Sequence, residues 1–272
     1  IRVSFPLHNY ERSAPIMHNI RSVKSAQEID LIQQACDITE KGFRRLLSFV
    51  KPSVWEYEIE AELIHEFISN RSQGWAYGPI IASGASACVL HYVENNKQCK
   101  DGDVILLDVA AEYSNYASDL TRCIPVNGKF TKRQKEVYNA VLRVHRAAAK
   151  QLLPGQTFEN YNKFVGEIMT EELLKLSLLK TTDVKNQNPN WPAYKKYFMH
   201  GTSHFLGLDV HDVGLFSEPM RAGMVFTVEP GIYIPEENMG IRLEDDVVIQ
   251  AKGSPLNLMQ NIPIEIDEIE AL

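Results

Sequence analysis

The chain has 272 residues, 44% of them hydrophobic, and a formal net charge of −7, which suits a folded soluble protein of one large domain or two small ones. The acidic balance and the lack of any long Lys/Arg cluster argue against nucleic acid or an anionic membrane as partner. No apolar run reaches the roughly 18 residues that span a bilayer.

The chain starts at Ile1 without a signal-like segment, and residues 1–24 show little periodicity. They read as a linker from an absent N-terminal domain, with residues 25–272 as the folded domain. Ser25 to Glu28 is a capping box, and Ile29, Ile32, Ala35, Ile38 and Phe43 follow at helical spacing to about Leu47. Lys51-Pro52-Ser53 breaks that helix. Ser53 and Glu56 read as a second capping box, opening a helix to about Asn70. Residues 78–92 (GPIIASGASACVLHY) read as a short strand and a glycine-rich turn.

Gly102 to Asp108 is a short, β-rich apolar run, hence a buried strand. Ser114-Asn115 is a turn, and Tyr116 to Val126 return as the partner strand. A two-residue turn there makes Asp108 and Asp119 diagonal neighbours on one face; a turn moved by one residue makes them directly opposite. Two more helices are expected, over 131–153 (Thr131 as N-cap, Gln134 closing the box) and over 157–176. Residues 181–197 are polar and proline-containing, and read as a loop. The strand pattern then recurs at Gly223 to Glu229, with a break at Pro235–Gly240 and a returning strand that carries Glu244. A turn centred on Glu236-Glu237 puts Glu229 opposite Glu244. The expected fold is α+β, built from two helix–helix–hairpin units related by a pseudo-two-fold internal duplication, each delivering two carboxylates to the centre.

Most acidic residues cap helices or face solvent. Asp108 and Glu229 fit that description poorly, because each ends a continuous apolar strand, and a buried, unpaired carboxylate costs several kcal/mol, on the order of a desolvated ion. HGTSHFLGLDVHD (200–212) adds His200, His204 and His211. The i,i+4 pair His200/His204 is not a helical zinc motif, since Gly201 and Gly207 weaken a helix. Four carboxylates (Asp108, Asp119, Glu229 and Glu244) with the imidazole of His204 suit two ions of the Mn²⁺, Co²⁺ or Zn²⁺ kind. His8, His18, His65 and His145 show no partner pattern and read as structural. Cys36, Cys88, Cys99 and Cys123 form no CxxC pair and read as reduced, mostly buried thiols of a cytoplasmic protein.

DVAAEYSNYASDLTR, HGTSHFLGLDVHDVG, TVEPGIYI and IRLEDDVVI together resemble the pita-bread metallopeptidases, and within them the Xaa-Pro aminopeptidase (aminopeptidase P) branch. The resemblance covers roughly residues 20–270. It implies a pita-bread catalytic domain over 25–272 that releases the N-terminal residue from peptides with proline second. It implies two divalent ions, manganese first and cobalt or zinc next, sharing an activated water. Asp108 would hold one ion, Asp119 and Glu244 would bridge both, and His204 and Glu229 would complete the second site. His91, His200 and His211 match substrate-binding histidines, Arg242 an arginine near the substrate, and Glu229 a proton relay. The partner is then an Xaa-Pro peptide, with any homo-oligomer formed through the absent N-terminal domain. The alternatives are a prolidase, in which Arg242 would read the dipeptide's carboxylate, and a non-catalytic pita-bread binding module, against which all five ligand positions hold usable residue types.

Overall fold

The helices expected from the sequence start at their capping signals, with one exception. In the computed structural model, which describes residues 1–271, a short helix α1 (Ala14–Ser22) precedes α2 (Ala26–Phe49). At α2 the Ser25 hydroxyl accepts from the Glu28 N–H and the Glu28 carboxylate accepts from the Ser25 N–H. Two donors that the helix leaves unpaired are thereby satisfied. The exception is α3 (Glu56–Ser69). Ser53 is left-handed, with φ +78°, and does not cap it. Glu58 instead accepts from the Trp55 N–H, and Glu56 turns into the interior.

The first hairpin follows. β1 (Ile80–Ser83) lies antiparallel to β2 (Val104–Asp108), whose other side pairs with β5 (Thr121–Pro125). Between them, β3 (Glu112–Tyr113) and β4 (Tyr116–Ala117) close over Ser114-Asn115. Both turn residues have positive φ, 50° and 69°, as tight hairpin turns require. Asp108 therefore faces Thr121, and Asp119 is its diagonal neighbour, the register that the two-residue turn predicts.

The second half repeats this order. α4 (Lys132–Ala149) carries the Thr131–Gln134 box and α5 (Phe158–Lys175) is capped by Thr157. α2 packs against α3, and α4 against α5. α4 ends at Ala149, short of the expected Pro154-Gly155, and the buried Leu152 follows it into the core. The segment expected as a loop contains a helical turn, α6 (Thr181–Lys185), because the Asp183 carboxylate accepts from the Lys180 N–H.

β6 (Val225–Val228) pairs with β9 (Asp245–Val248), and β7 (Gly231–Ile234) with β8 (Met239–Arg242). Val228 faces Asp245 and Gly231 faces Arg242, so Glu229 stands level with Glu244, as expected. Phe205 bridges Phe226, and the Thr202 carbonyl accepts from the Glu229 N–H. Residues 202–206 thus lie against β6 as β1 lies against β2, which supports the internal duplication. β10 (Leu256–Asn257) adds to β9, and α7 (Ile266–Ala271) ends the fold.

The halves join where the Glu244 N–H donates to the Thr121 carbonyl at 3.0 Å. Arg122, fully buried, donates to the carbonyls of Thr121 and Glu244 at 3.0 and 2.7 Å. Cys36, Cys99 and Cys123 are buried, Cys88 is half-buried, and all four are free. His145 is buried beside Asp245, and burial pushes its pKa down to about 4. Among the described residues no helix is long and apolar enough to cross a membrane.

Gly240 on β8 backs directly onto the Ala87 carbonyl, and a Cβ there would overlap that oxygen. A backbone atom cannot swing away, so Gly240→Ala is expected to destabilise by about 1–3 kcal/mol, the usual range for overpacking. A denaturant melt with an unchanged midpoint would contradict this contact.

Candidate functional site

All nine residues singled out from the sequence line one cavity of about 720 Å³. The acids reach it because the strands of both hairpins break at the same level. Asp108 ends β2, and Asp119 lies in the gap between β4 and β5. Glu229 follows β6, and Glu244 lies between β8 and β9.

Asp119, His204 and Glu244 each offer a ligand atom within 4.8 Å of the others. His204 Nδ1 lies 3.0 Å from the Phe205 carbonyl. That oxygen can only accept, so Nδ1 carries the proton, and Nε2 faces Asp119 Oδ2 at 3.4 Å. Fixing the tautomer this way leaves Nε2 as the coordinating atom of a neutral ring. Asp108 and Glu229 share the cavity but have other partners. Asp108 pairs with Arg242 and accepts from the Tyr77 hydroxyl at 2.6 Å. Glu229 lies 3.4 Å from His200 Nδ1 and 3.8 Å from His204 Nε2.

The electrostatics describe a site with too much negative charge. Burial, joined by the Asp119 and Asp108 charges, pushes Glu229 up to about 7 against the pull of His204 and Arg242. Burial and then Asp119 hold Glu244 well above the usual carboxylate range, and burial raises Asp108 despite Arg242. For His204, burial alone would lower the pKa, but Asp119 and Glu229 outweigh it and raise the ring to about 9. Buried carboxylates that resist ionisation, beside an imidazole that seeks a proton, form a donor set that small divalent cations fit.

The other predicted residues divide into two kinds. His200 is engaged at both nitrogens: Nδ1 donates to the Gly201 carbonyl at 2.7 Å, and Nε2 meets the Tyr233 hydroxyl at 2.8 Å. Burial and the nearby Arg242 push its pKa down to about 3, so it is neutral. Arg242 is likewise committed, donating to Thr121 Oγ1 at 3.0 Å, to Tyr233 at 2.9 Å and to Asp108. His91 and His211 make no hydrogen bond among the described residues. The His211 ring stands edge-on to His204, with centroids 4.3 Å apart, and burial and His204 lower its pKa.

Four residues escaped the sequence reading. Thr121 donates to Glu244 Oε2 at 2.6 Å, and the predicted register, which sets it opposite Asp108, could have found it. Asp246 accepts from the Asp119 N–H at 3.0 Å, and its place in the EDD run hides it beside Glu244. Tyr77 and Tyr233 gave no local signal, because their partners lie on other strands.

The chain matches the model of metallopeptidase family M24 over residues 30–251. It is 40% identical over 273 residues to a Haemophilus influenzae protein described as Xaa-Pro aminopeptidase, a match covering 95% of this chain and 62% of the relative. Aminopeptidase P from Escherichia coli, solved with the inhibitor Pro-Leu, has a TM-score of 0.89 at 39% identity, covering 95% of this chain and 61% of that one. Proline aminopeptidase P II from Yersinia pestis has a TM-score of 0.90 at 38% identity, covering 95% and 62%. The chain spans about three fifths of the length of the two bacterial relatives and about half of that of several others it matches. These likenesses show the pita-bread fold that the motifs implied. The chain belongs to metallopeptidase family M24.

Proposed function

We propose that this chain is the catalytic part of an Xaa-Pro aminopeptidase, which hydrolyses the first peptide bond of peptides with proline second. The observation that carries the reading is the convergence of Asp119, His204 and Glu244 within 4.8 Å, in a cavity walled by three further histidines. The substrate class rests on the relatives. Asp108 would hold one divalent ion, Asp119 and Glu244 both, and His204 and Glu229 the second, with manganese preferred and cobalt or zinc as alternatives. Such ions supply Lewis acidity and lower the pKa of water. A cytoplasmic location belongs to the same proposal and rests on the free cysteines.

The bond to be cut is a tertiary amide without an N–H, and its leaving group is a secondary amine that needs a proton. Glu229, 3.4 Å from His200 Nδ1 at the edge of the cluster, is the carboxylate assigned to relay a proton to the prolyl nitrogen. His91 and His211, whose ring nitrogens have no partner among the described residues, are the donors for the carbonyl oxygen as its charge grows. His200 acts indirectly, through Tyr233 and Glu229. A prolidase would need a cation free to read the dipeptide's carboxylate. Arg242 is already committed at three nitrogens, so the aminopeptidase reading is preferred.

The decisive assay offers an Xaa-Pro dipeptide, an Xaa-Pro pentapeptide and an Xaa-Ala control, first with Mn²⁺ and then with chelator. One residue released from the pentapeptide, and lost on chelation, is the expected outcome. Cleavage of the dipeptide alone would move the assignment to prolidase.

Substitutions separate the two kinds of residue. Asp119→Ala and Glu244→Ala are expected to retain no ion after dialysis and to show no turnover; full activity with Mn²⁺ would remove them from the site. His211→Ala should keep its metal, measured by elemental analysis, while turnover falls by about 10²-fold, as when a transition-state donor is lost.

Metal removal exposes the charge cluster. Glu229 moves from an ordinary 4.5 to about 7 on folding. The folded state therefore binds more protons between those values, and stability falls as pH rises through them. His204, raised from 6.5 to about 9, contributes stability that is complete below its unfolded pKa and lost as pH rises through the folded one. Both effects have the same sign. Chelated protein should lose thermal stability from about pH 5 to about pH 9, and saturating Mn²⁺ should raise Tm most at the alkaline end. An equal Mn²⁺ effect at both ends would contradict this account of the cluster.

A further inference from the structure

α3 opens on Glu56, a carboxylate with 0% exposure that has no part in the chemistry above. Each of its oxygens accepts two hydrogen bonds. Oε1 takes the Ser83 N–H at 2.8 Å and the Ser83 hydroxyl at 2.7 Å. Oε2 takes the Tyr92 hydroxyl at 2.7 Å and the Lys97 N–H at 2.9 Å. A buried carboxylate is tolerated when donors satisfy it in this way. All four groups meet it as donors, so a carboxamide would turn its NH₂ against at least one N–H or O–H.

The donors grip one stretch of chain at both ends. Between Ser83 and Lys97 the backbone makes the tight turn Gly84–Cys88 and then carries Leu90, His91 and Val93 into the wall of the cavity. Tyr92, the residue next to His91, is itself buried. Further ties brace the stretch. Asn95 accepts from the Ile81 N–H at 3.0 Å and donates to the Pro79 carbonyl at 3.0 Å. Lys97 Nζ donates to Ser86 Oγ at 2.6 Å, and Cys88 Sγ lies 3.4 Å from the Met239 carbonyl. Among the described residues His91 has no such tie of its own, so its placement depends on the backbone that Glu56 holds.

We propose that Glu56 is a positioning residue that sets where His91 stands in the cavity, acting through Tyr92 and the 83–97 segment. The inference rests on the aminopeptidase reading for its kinetic consequence. A misplacement of about 1 Å in a catalytic contact lowers turnover on the order of 10²-fold.

The test is a double-mutant cycle on the metal-loaded protein with an Xaa-Pro pentapeptide. Glu56→Gln is expected to lower kcat on the order of 10²-fold with metal content unchanged. In a His91→Ala background the same change should cost less than about threefold, because the two residues act as one unit. Tyr92→Phe, which removes a single donor, should show the same coupling at smaller size and serves if Glu56→Gln does not fold. Equal losses in both backgrounds, or loss of metal, would make Glu56 merely structural and overturn the proposal. A second readout is the His91 ring signal in NMR of zinc-loaded protein, which should move in Tyr92→Phe while the His204 signal stays. If the wild-type protein cleaves no Xaa-Pro peptide, the functional reading falls. The ring signal still decides, and an unmoved His91 would overturn the role given to Glu56.

Discussion

Carboxylates gathered at one buried point repel one another, and much of the polar interior exists to hold them there. Asp108 leans on Arg242 and Tyr77, Glu244 on the Thr121 hydroxyl, and Asp119 anchors its N–H on Asp246. Asp246 shows how the cluster limits its own charge. It is fully buried, one oxygen has no partner, and burial with the Asp119 charge lifts its carboxyl well above the usual range. A neutral Asp246 can still accept from the Asp119 N–H, and it adds no negative charge to a site already short of positive charge.

The relative placement of Asp119 and Glu244 depends on the junction of the halves beside them. A single backbone bond links Glu244 to Thr121, and the Arg122 guanidinium spans the same two carbonyls while pairing with Asp245 at 2.6 Å. Both charges are almost wholly buried. Such a pair adds little net stability over apolar packing, but removing one partner strands the other at a cost of about 3–5 kcal/mol. The neighbouring His145 stays neutral and adds no competing charge. The pair therefore enforces geometry: the backbone cannot shift at the junction without exposing a buried charge to apolar surroundings.

Both hairpin registers were legible in the sequence because each follows from a turn and a buried strand. Ser114-Asn115 and Glu236-Glu237 set the pairing of Asp108 with Thr121 and the level of Glu229 with Glu244. Side-chain period two then sends the acids to one face. Local rules failed where a long-range partner overrode them. Ser53 and Glu56 have capping-box spacing, but Trp55 pairs with Gln98, the helix starts later, and Glu56 is drawn inward by Ser83, Tyr92 and Lys97. The spacing of two residues cannot tell a carboxylate that caps a helix from one that enters the core. His200 was legible as a member of the site but not in its bonding, since His200 lies on a loop and Tyr233 on the distant strand β7.

The clustered acids sit on or beside strands, whereas His91 and His211 sit on loops, which are ordinarily the mobile parts of a fold. Each loop is pinned by one buried acid close to the histidine. Glu56 holds the first. Asp212, next to His211, holds the second by pairing with Arg21 and with Lys24, whose side chain is 1% exposed like its own. Gly207 leaves room for this pair, since a Cβ there would overlap the Asp212 carboxylate. Both loops are thus fastened at helical elements, one to the start of α3 and the other to α1 and its link to α2. A binding site gains from donors whose positions are set before a ligand arrives. Since neither Glu56 nor Asp212 is among the predicted ligands, loosening either loop should disturb the histidines while leaving the carboxylate cluster assembled. The carboxylate cluster and the loop histidines are in this way held by separate parts of one fold.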